Sequence, residues 1–216
     1  MLDLGLKYDI PAASQEALRR LKVLFPPLLQ HFVVPYAPDP LSPPKKFFPI
    51  IVTRDDCFSC VRLARKFNLN EILPPAMYCC IISGSECCLN AVAAGHWTLD
   101  DYRVCQRAHM SLVNCSLHYF TPIVQNTLSA CQQGGKCMER FRSGLQGGIH
   151  GDPHALYPRE WLSVVKSSRL CTNCLAQLNG HCKITRQLIW NALGSFFGVV
   201  PWPPRKQSVA TIGNHQ

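Results

Sequence analysis

The sequence predicts a mainly α fold: an irregular helical bundle built from helical hairpins, with a Pro-rich linker and at most one short strand. Three observations carry that expectation. Val61–Cys80 reads as two helices joined by a sharp turn, and Leu6–Leu21 repeats its grammar. Beyond Thr98, apolar residues recur every three or four positions over a long stretch, the period of a helix with one buried face.

In Val61–Cys80, the residues Val61, Leu63, Ala64 and Phe67 form an apolar face, and Arg62, Arg65 and Lys66 cover the other side. Asn68 breaks the helix, because its side chain competes for backbone hydrogen bonds. Pro74 and Pro75 fit the first turn of the next helix, where a missing N–H costs nothing; that helix would bury Ala76, Met77 and Cys80. In the earlier copy, Lys7-Tyr8-Asp9-Ile10 stands where Lys66-Phe67-Asn68-Leu69 stands, and Ala17-Leu18 falls where Ala76-Met77 falls. One such pair is short of the three or so units that a solenoid needs.

Taken in order, residues 1–24 read as a helix end, the turn at Asp9-Ile10-Pro11, and a helix carrying Ala17, Leu18, Leu21 and Leu24. Ser14 is placed to cap that helix, with Glu16 and Arg20 spaced i,i+4 on its exposed side. Residues 25–49 hold eight prolines and no steady period, which predicts a linker or extended loop. Ile50–Thr53 is β-branched and suits a short strand. Asp55 or Asp56 then caps a helix running to Phe67. A helix over 71–82, the turn Ser83-Gly84-Ser85 and a helix over Glu86–Ala94 follow, the last ended by Gly95.

Thr98 opens the longest helix, with Asp100 and Asp101 at the positive end of its dipole. Leu99, Tyr102, Cys105, His109, Leu112, Ser116 and Tyr119 make its seam, with His109 read as a core or edge histidine, and Pro122 kinks or ends the helix. A short helix is expected around Met138–Leu145. Gly144–Gly151 is a loop rather than a phosphate cradle, since no Gly-Lys-Ser/Thr follows it. His150, Asp152 and His154 have no further anchored partner with which to build a metal or acid–base site. Pro158 opens a helix with Trp161, Val164 and Val165. The final helix follows Cys171–Cys174 and offers Leu175, Leu178, Cys182, Leu188, Ile189 and Trp190 to the core. FFGVVPWPP packs back on the bundle, and 205–216 is a disordered tail.

Composition narrows the function classes. A hydrophobic content of 47% against 16% charged residues excludes a disordered chain. No apolar run approaches the roughly 20 residues of a membrane-spanning helix, and MLDLGLKYD has neither a basic leader nor an apolar h-region. A soluble chain of the cytoplasm or nucleus is expected. The net charge of +9 invites a nucleic-acid reading, but Arg19-Arg20-Lys22, Lys45-Lys46, Arg62-Arg65-Lys66 and Arg140-Arg142 are scattered, as on a solvated surface.

Thirteen cysteines in 216 residues need a reason. Cys79-Cys80 and Cys87-Cys88 lie in apolar helical stretches and read as small buried hydrophobes. Cys57-x-x-Cys60 lacks a second half. Cys171-x-x-Cys174, at the N-terminal edge of a helix, has the spacing of a zinc half-site. Cys131-x5-Cys137, in a polar, glycine-containing stretch, is its best complement, although five residues exceed the usual two to four. Four thiolates with no water position make a closed, structural zinc site joining the end of the long helix to the last helix. Buried free thiols and a redox pair are the alternatives, and His181 and Cys182 are reserve ligands.

Several motifs together resemble a known family. Helix–KYDIP–helix–ALRRL is similar to the C-terminal end of a BTB/POZ domain, and LARKFNLNEILPPAMYCC resembles the helical extension of fungal BTB-domain proteins. TLDDYRVC with its long helix, Cys131 and Cys137, LCTNC and IWNALGSFFGVVPWPP agree, in family order from Lys7 to Pro204. The β-rich front of a BTB domain has no counterpart, so the chain looks like a C-terminal fragment or a shortened gene model. The resemblance implies a remnant of the BTB helices at 1–24, the linker at 25–49 and a helical domain at 50–204. It also implies a non-catalytic adaptor or scaffold that binds a protein partner, by self-association or through a cullin-type ligase. No catalytic constellation is visible: the sequence has no Gly-x-Ser-x-Gly elbow, no His-Glu-x-x-His and no paired carboxylates. The alternatives are a zinc-stapled helical domain that binds nucleic acid or an acidic partner, and a redox enzyme using Cys171 and Cys174, for which the βαβ context is missing.

Overall fold

The structure, a computed structural model, describes residues 5, 7–32, 52–126, 131–145, 156 and 168–202, with the side chains of 116–117, 119–126 and 144–145 excepted. Among them are seven α-helices and no strand: α1 (Pro11–Leu24), α2 (Arg54–Lys66), α3 (Leu73–Ile82), α4 (Ser85–Ala93), α5 (Leu99–Asn126), α6 (Lys136–Leu145) and α7 (Thr172–Phe196). The mainly α expectation holds. Val52 and Thr53 are not in a strand, and Ile50 and Ile51 lie outside the described residues. So do the Gly144–Gly151 loop beyond Leu145, His150, Asp152, His154, the helix expected at Pro158 with Trp161, Val164 and Val165, and the tail 205–216.

The helix α3 is the hub. Its sequence, LPPAMYCCII, contains no charged side chain, and every residue from Leu73 to Ile81 is buried. A helix apolar all round must be covered all round, and α2, α4, α5 and α7 all pack against it. Pro74 and Pro75 occupy its first turn, where the four leading N–H groups have no intrahelical partner and proline loses nothing.

The two hairpin turns share more than sequence. Asp9 and Asn68 both take left-handed backbone, at φ 51° and 52°, which Asn and Asp tolerate better than other side chains. The Ile10 amide donates to the Gly5 carbonyl at 2.7 Å and the Leu69 amide to the Ala64 carbonyl at 2.8 Å, the same Schellman closure. Lys7 stands 5.2 Å from the Tyr8 ring centre and Lys66 5.2 Å from that of Phe67. Gly95 and Gly198 end α4 and α7 with the same long-reach bond, His96 to Ala91 and Val199 to Gly194. The repeated grammar is therefore a helix-ending rule that α2, α4 and α7 share.

Caps fall partly where the sequence points. Thr98 and Asp101 form a reciprocal cap on α5. On α2 the cap is Thr53, with Asp56 reaching back to it, rather than an aspartate alone. Ser14 does not cap α1. Pro11, with its preset φ, starts the helix a turn earlier, and the Ser14 hydroxyl donates to the Ile10 and Pro11 carbonyls inside it. Glu16 pairs with Arg20 at 2.7 Å as spaced, and also with Arg19. These two guanidiniums, through hydrogen bonds first, hold its carboxyl down to about 2.

Three further expectations are corrected in part. The seam of α5 is Asp101, Cys105, Ala108 and Leu112, whereas Leu99 is 52% exposed and Tyr102 and His109 are half-buried. Asp101 turns inward because it meets both the Thr98 cap and the Arg65 guanidinium of α2. A carboxylate on the inner stripe is what a hydropathy pattern cannot show. The helix also runs through Pro122 to Asn126; one lost N–H does not end it. On α7, Leu178, Cys182, Ile189 and Trp190 face inward as expected, but Leu175 and Leu188 are exposed.

Residues 25–32, the start of the predicted linker, belong to the core. Phe25 and Phe32 are buried, and the Trp190 indole donates to the Pro27 carbonyl at 3.0 Å. The Phe32 ring lies 4.9 Å from that of Trp190 and edge-on to Tyr78 at 6.0 Å. The prolines end α1 and the aromatics either side of them anchor it. At the other end, FFGVVPW folds back as predicted. The Trp202 indole donates to the Trp190 carbonyl at 3.0 Å, over Gly194, where a Cβ would stand 2.1 Å from that of Trp202.

Candidate metal centre

All thirteen cysteines are free thiols, and two groups of them differ sharply in their surroundings. Cys57, Cys79, Cys80, Cys88 and Cys105 sit in the main core, with Cys60 packed against it. Burial pushes Cys60 up to about 12 and Cys88 up to about 11, and holds Cys79, Cys80 and Cys105 well above the ordinary thiol range. These are inert small hydrophobes. The Cys57 thiol points back to the Thr53 carbonyl, so Cys57-x-x-Cys60 is a core feature of α2.

The second group is separate from that core. Cys137, Cys171 and Cys174 are buried together, with Cys131 and Leu170 packed against them. The four sulfurs of Cys131, Cys137, Cys171 and Cys174 all lie within 4.8 Å of one another. A tetrahedron of Zn–S bonds of about 2.3 Å has edges of roughly 3.8 Å, so closure asks for shifts of no more than about 1 Å. The set could hold one metal ion, and among the described residues no other such group forms.

Local structure explains how a wide spacing still closes. Cys131 precedes a tight turn over Gln132–Gly135, in which Gly134 and Gly135 take φ of 57° and 85°. Two consecutive left-handed residues curl the chain around the sulfur, and the Gln133 amide donates to Cys131 Sγ at 3.4 Å. The turn absorbs the extra residues and delivers Cys137 on the first turn of α6. Cys171 is the N-cap residue of α7 and Cys174 lies one turn on, the two thiols at the positive end of the helix dipole. The Cys171 amide donates to Cys137 Sγ at 3.3 Å, linking the halves.

Electrostatics favour thiolate at two of the four. Amide hydrogen bonds, that of Gln133 first, hold the half-exposed Cys131 down to about 6. The amides of Cys174 and Gln132 lower Cys171. Desolvation raises Cys137 and, most of all, Cys174. Without a cation, four crowded thiols cannot all ionise; a divalent ion would remove that conflict.

The reserve ligands are not used. His181 is exposed and Cys182 buried elsewhere on α7, and seven residues beyond Cys174 is a rise of about 10 Å. Sequence reasoning missed Gln133 and Arg140, which flank the thiols: Arg140 Nη1 donates to Gln133 Oε1 at 3.0 Å and to the Arg169 carbonyl at 3.3 Å. The Gly-Gly pair between Cys131 and Cys137 was the available signal for the first.

No family model, curated protein or solved structure matches the chain.

The donor set suits a metal ion that favours sulfur. Four sulfur ligands on one ion would leave no position for water or substrate. Thiolates of a two-iron cluster would have to spread around two metal atoms and their bridging sulfides.

Proposed function

We propose that this chain is a non-catalytic protein-interaction domain whose distal end is closed by a structural zinc ion on Cys131, Cys137, Cys171 and Cys174. The observation that carries the zinc reading is the replacement of an apolar core by four convergent thiols where α6 meets α7. In small metal domains such ion binding supplies folding free energy of order 10 kcal/mol. The metal thereby fixes surfaces on α6 and α7 for a partner, and has no substrate position of its own. A reducing compartment, cytoplasm or nucleus, suits thirteen free thiols. The adaptor role, with self-association or a cullin-type ligase as partner, rests on the BTB/POZ resemblance of the motifs quoted above.

Cobalt substitution tests the site. Co²⁺ added to metal-free protein should give the intense visible bands and sulfur charge-transfer absorption of a tetrahedral four-thiolate centre, altered in Cys131→Ser. A featureless or octahedral spectrum would sink the reading.

A second reading has one observation in its favour. Among the described residues from 131 on, Lys136, Arg140, Arg142, Arg169, Lys183 and Arg186 face a single acid, Glu139. That surplus suits nucleic acid or an acidic partner. Binding lost steeply with added salt would support phosphate contacts, and a flat profile would support an ordinary protein interface.

A further inference from the structure

We infer that Arg140 is a positioning residue for the metal centre: it clasps the two ligand-bearing segments together and sets how tightly the ion is held. This deepens the zinc reading and rests on it. Arg140 lies on α6, one turn beyond Cys137. Its Nη1 carries two hydrogens and uses them across the site, one to Gln133 Oε1 at 3.0 Å in the Cys131 turn, the other to the Arg169 carbonyl at 3.3 Å. Arg169 is two residues before Cys171, and its backbone is left-handed at φ 44°, a conformation unfavourable for a non-glycine residue. The carbonyl that Arg140 grips thus belongs to a backbone that needs holding.

The ligands come in two pairs from segments far apart in sequence. Two of the hydrogen bonds that cross between them near the thiols are the Cys171 amide to Cys137 Sγ and Arg140 to the Arg169 carbonyl. The first involves a ligand itself. The second acts from outside the four sulfurs. Gln133 joins it to the Cys131 turn, whose amide already supports the Cys131 sulfur.

Metal binding strengthens this clasp. Zinc on four thiolates carries a net charge of −2, which attracts a guanidinium next to it. Arg140 therefore favours the ion-bound state without touching the ion.

The test is zinc release from the loaded full chain to a chromogenic chelator, followed as a rate, with the dissociation constant from chelator competition. Residues that orient metal ligands from outside typically change affinity about 10- to 100-fold. Arg140→Ala should release zinc about tenfold faster and bind it about tenfold more weakly, the lower end of that range because the clasp is exposed. Arg140→Lys, whose ammonium keeps the charge and offers three donors without the planar fork, should fall between. The cobalt spectrum of Arg140→Ala should match wild type, since all four thiolates remain; a merely unfolded site would lose it. If Arg140→Ala loses helical signal, Gln133→Ala carries the same test from the other end of the clasp. Release and affinity within about twofold of wild type would overturn the role assigned to Arg140 and leave the zinc reading standing. A wild-type chain that takes up no zinc would overturn both.

Discussion

Trp190→Phe asks whether residues 25–32 belong to the bundle. The indole is fully buried, donates to the Pro27 carbonyl at 3.0 Å, and lies against the rings of Phe32 and Trp202 at 4.9 and 5.8 Å. Phenylalanine keeps an aromatic ring there but cannot donate. Leaving that carbonyl without its donor costs about 1–3 kcal/mol. The smaller ring leaves roughly 40 Å³, worth ~1 kcal/mol at about 24 cal/mol per Å³. Together these give a loss of about 2–4 kcal/mol, large for one ring exchange. Urea unfolding in zinc-saturated buffer reads it out: with a slope near 2 kcal/mol per M, the midpoint should fall by about 1–2 M. The control is Leu188→Ala, 44% exposed on the same helix, expected within about 0.5 kcal/mol of wild type. If Trp190→Phe also stays within about 0.5 kcal/mol, the Phe25–Phe32 segment does not dock as described.

Gly194→Ala should destabilise by about 1–3 kcal/mol, because the new methyl meets the Trp202 side chain and the Val199 carbonyl at 2.1 and 2.5 Å; a neutral result in thermal unfolding would contradict the packing of the returning C-terminal segment. The core thiols predict an alkaline limit. Their native pKa values are raised, so the stability they favour is complete below the unfolded thiol value near 9 and is lost as pH climbs toward about 11 for Cys88 and about 12 for Cys60. Stability should fall above pH 9, and an unchanged unfolding midpoint up to pH 11 would refute it. Brief iodoacetamide labelling of metal-free protein at pH 7 should modify Cys131 first, held to about 6, and leave Cys79, Cys80 and Cys105 untouched until unfolding. Equal labelling of all of them, read by peptide mass spectrometry, would contradict the division of the cysteines.

The helices were legible because their signals are local. Thr98, Gly95, Asn68 and the proline pair of α3 each act through their own backbone, and each ends or starts a helix where the sequence says. Tertiary partners decided the rest. Asp101 is buried because the distant Arg65 meets it as well as Thr98, and nothing in its own neighbourhood announces Arg65. The prolines of 26–27 signalled a chain that stops being helical, but only the distant Trp190 makes their surroundings core. Ser14 looked like a cap until Pro11 moved the helix start. The four metal-site cysteines could be picked out because polar, glycine-containing surroundings set them apart from the thiols on apolar helices. Their closure was harder to see, since it depends on two consecutive left-handed glycines. Arg140 left no local trace, because its second partner is 29 residues away.

Native mass spectrometry of the chain purified without added metal or chelator tests the central claim most directly. The account predicts one zinc per chain, absent from Cys174→Ser, and on chelation a loss of hydrogen-exchange protection over 131–145 and the first turns of α7 while α3 stays protected. A metal-free chain that still protects α6 and the start of α7 would contradict it, and the four cysteines would then be buried thiols that pack the junction on their own.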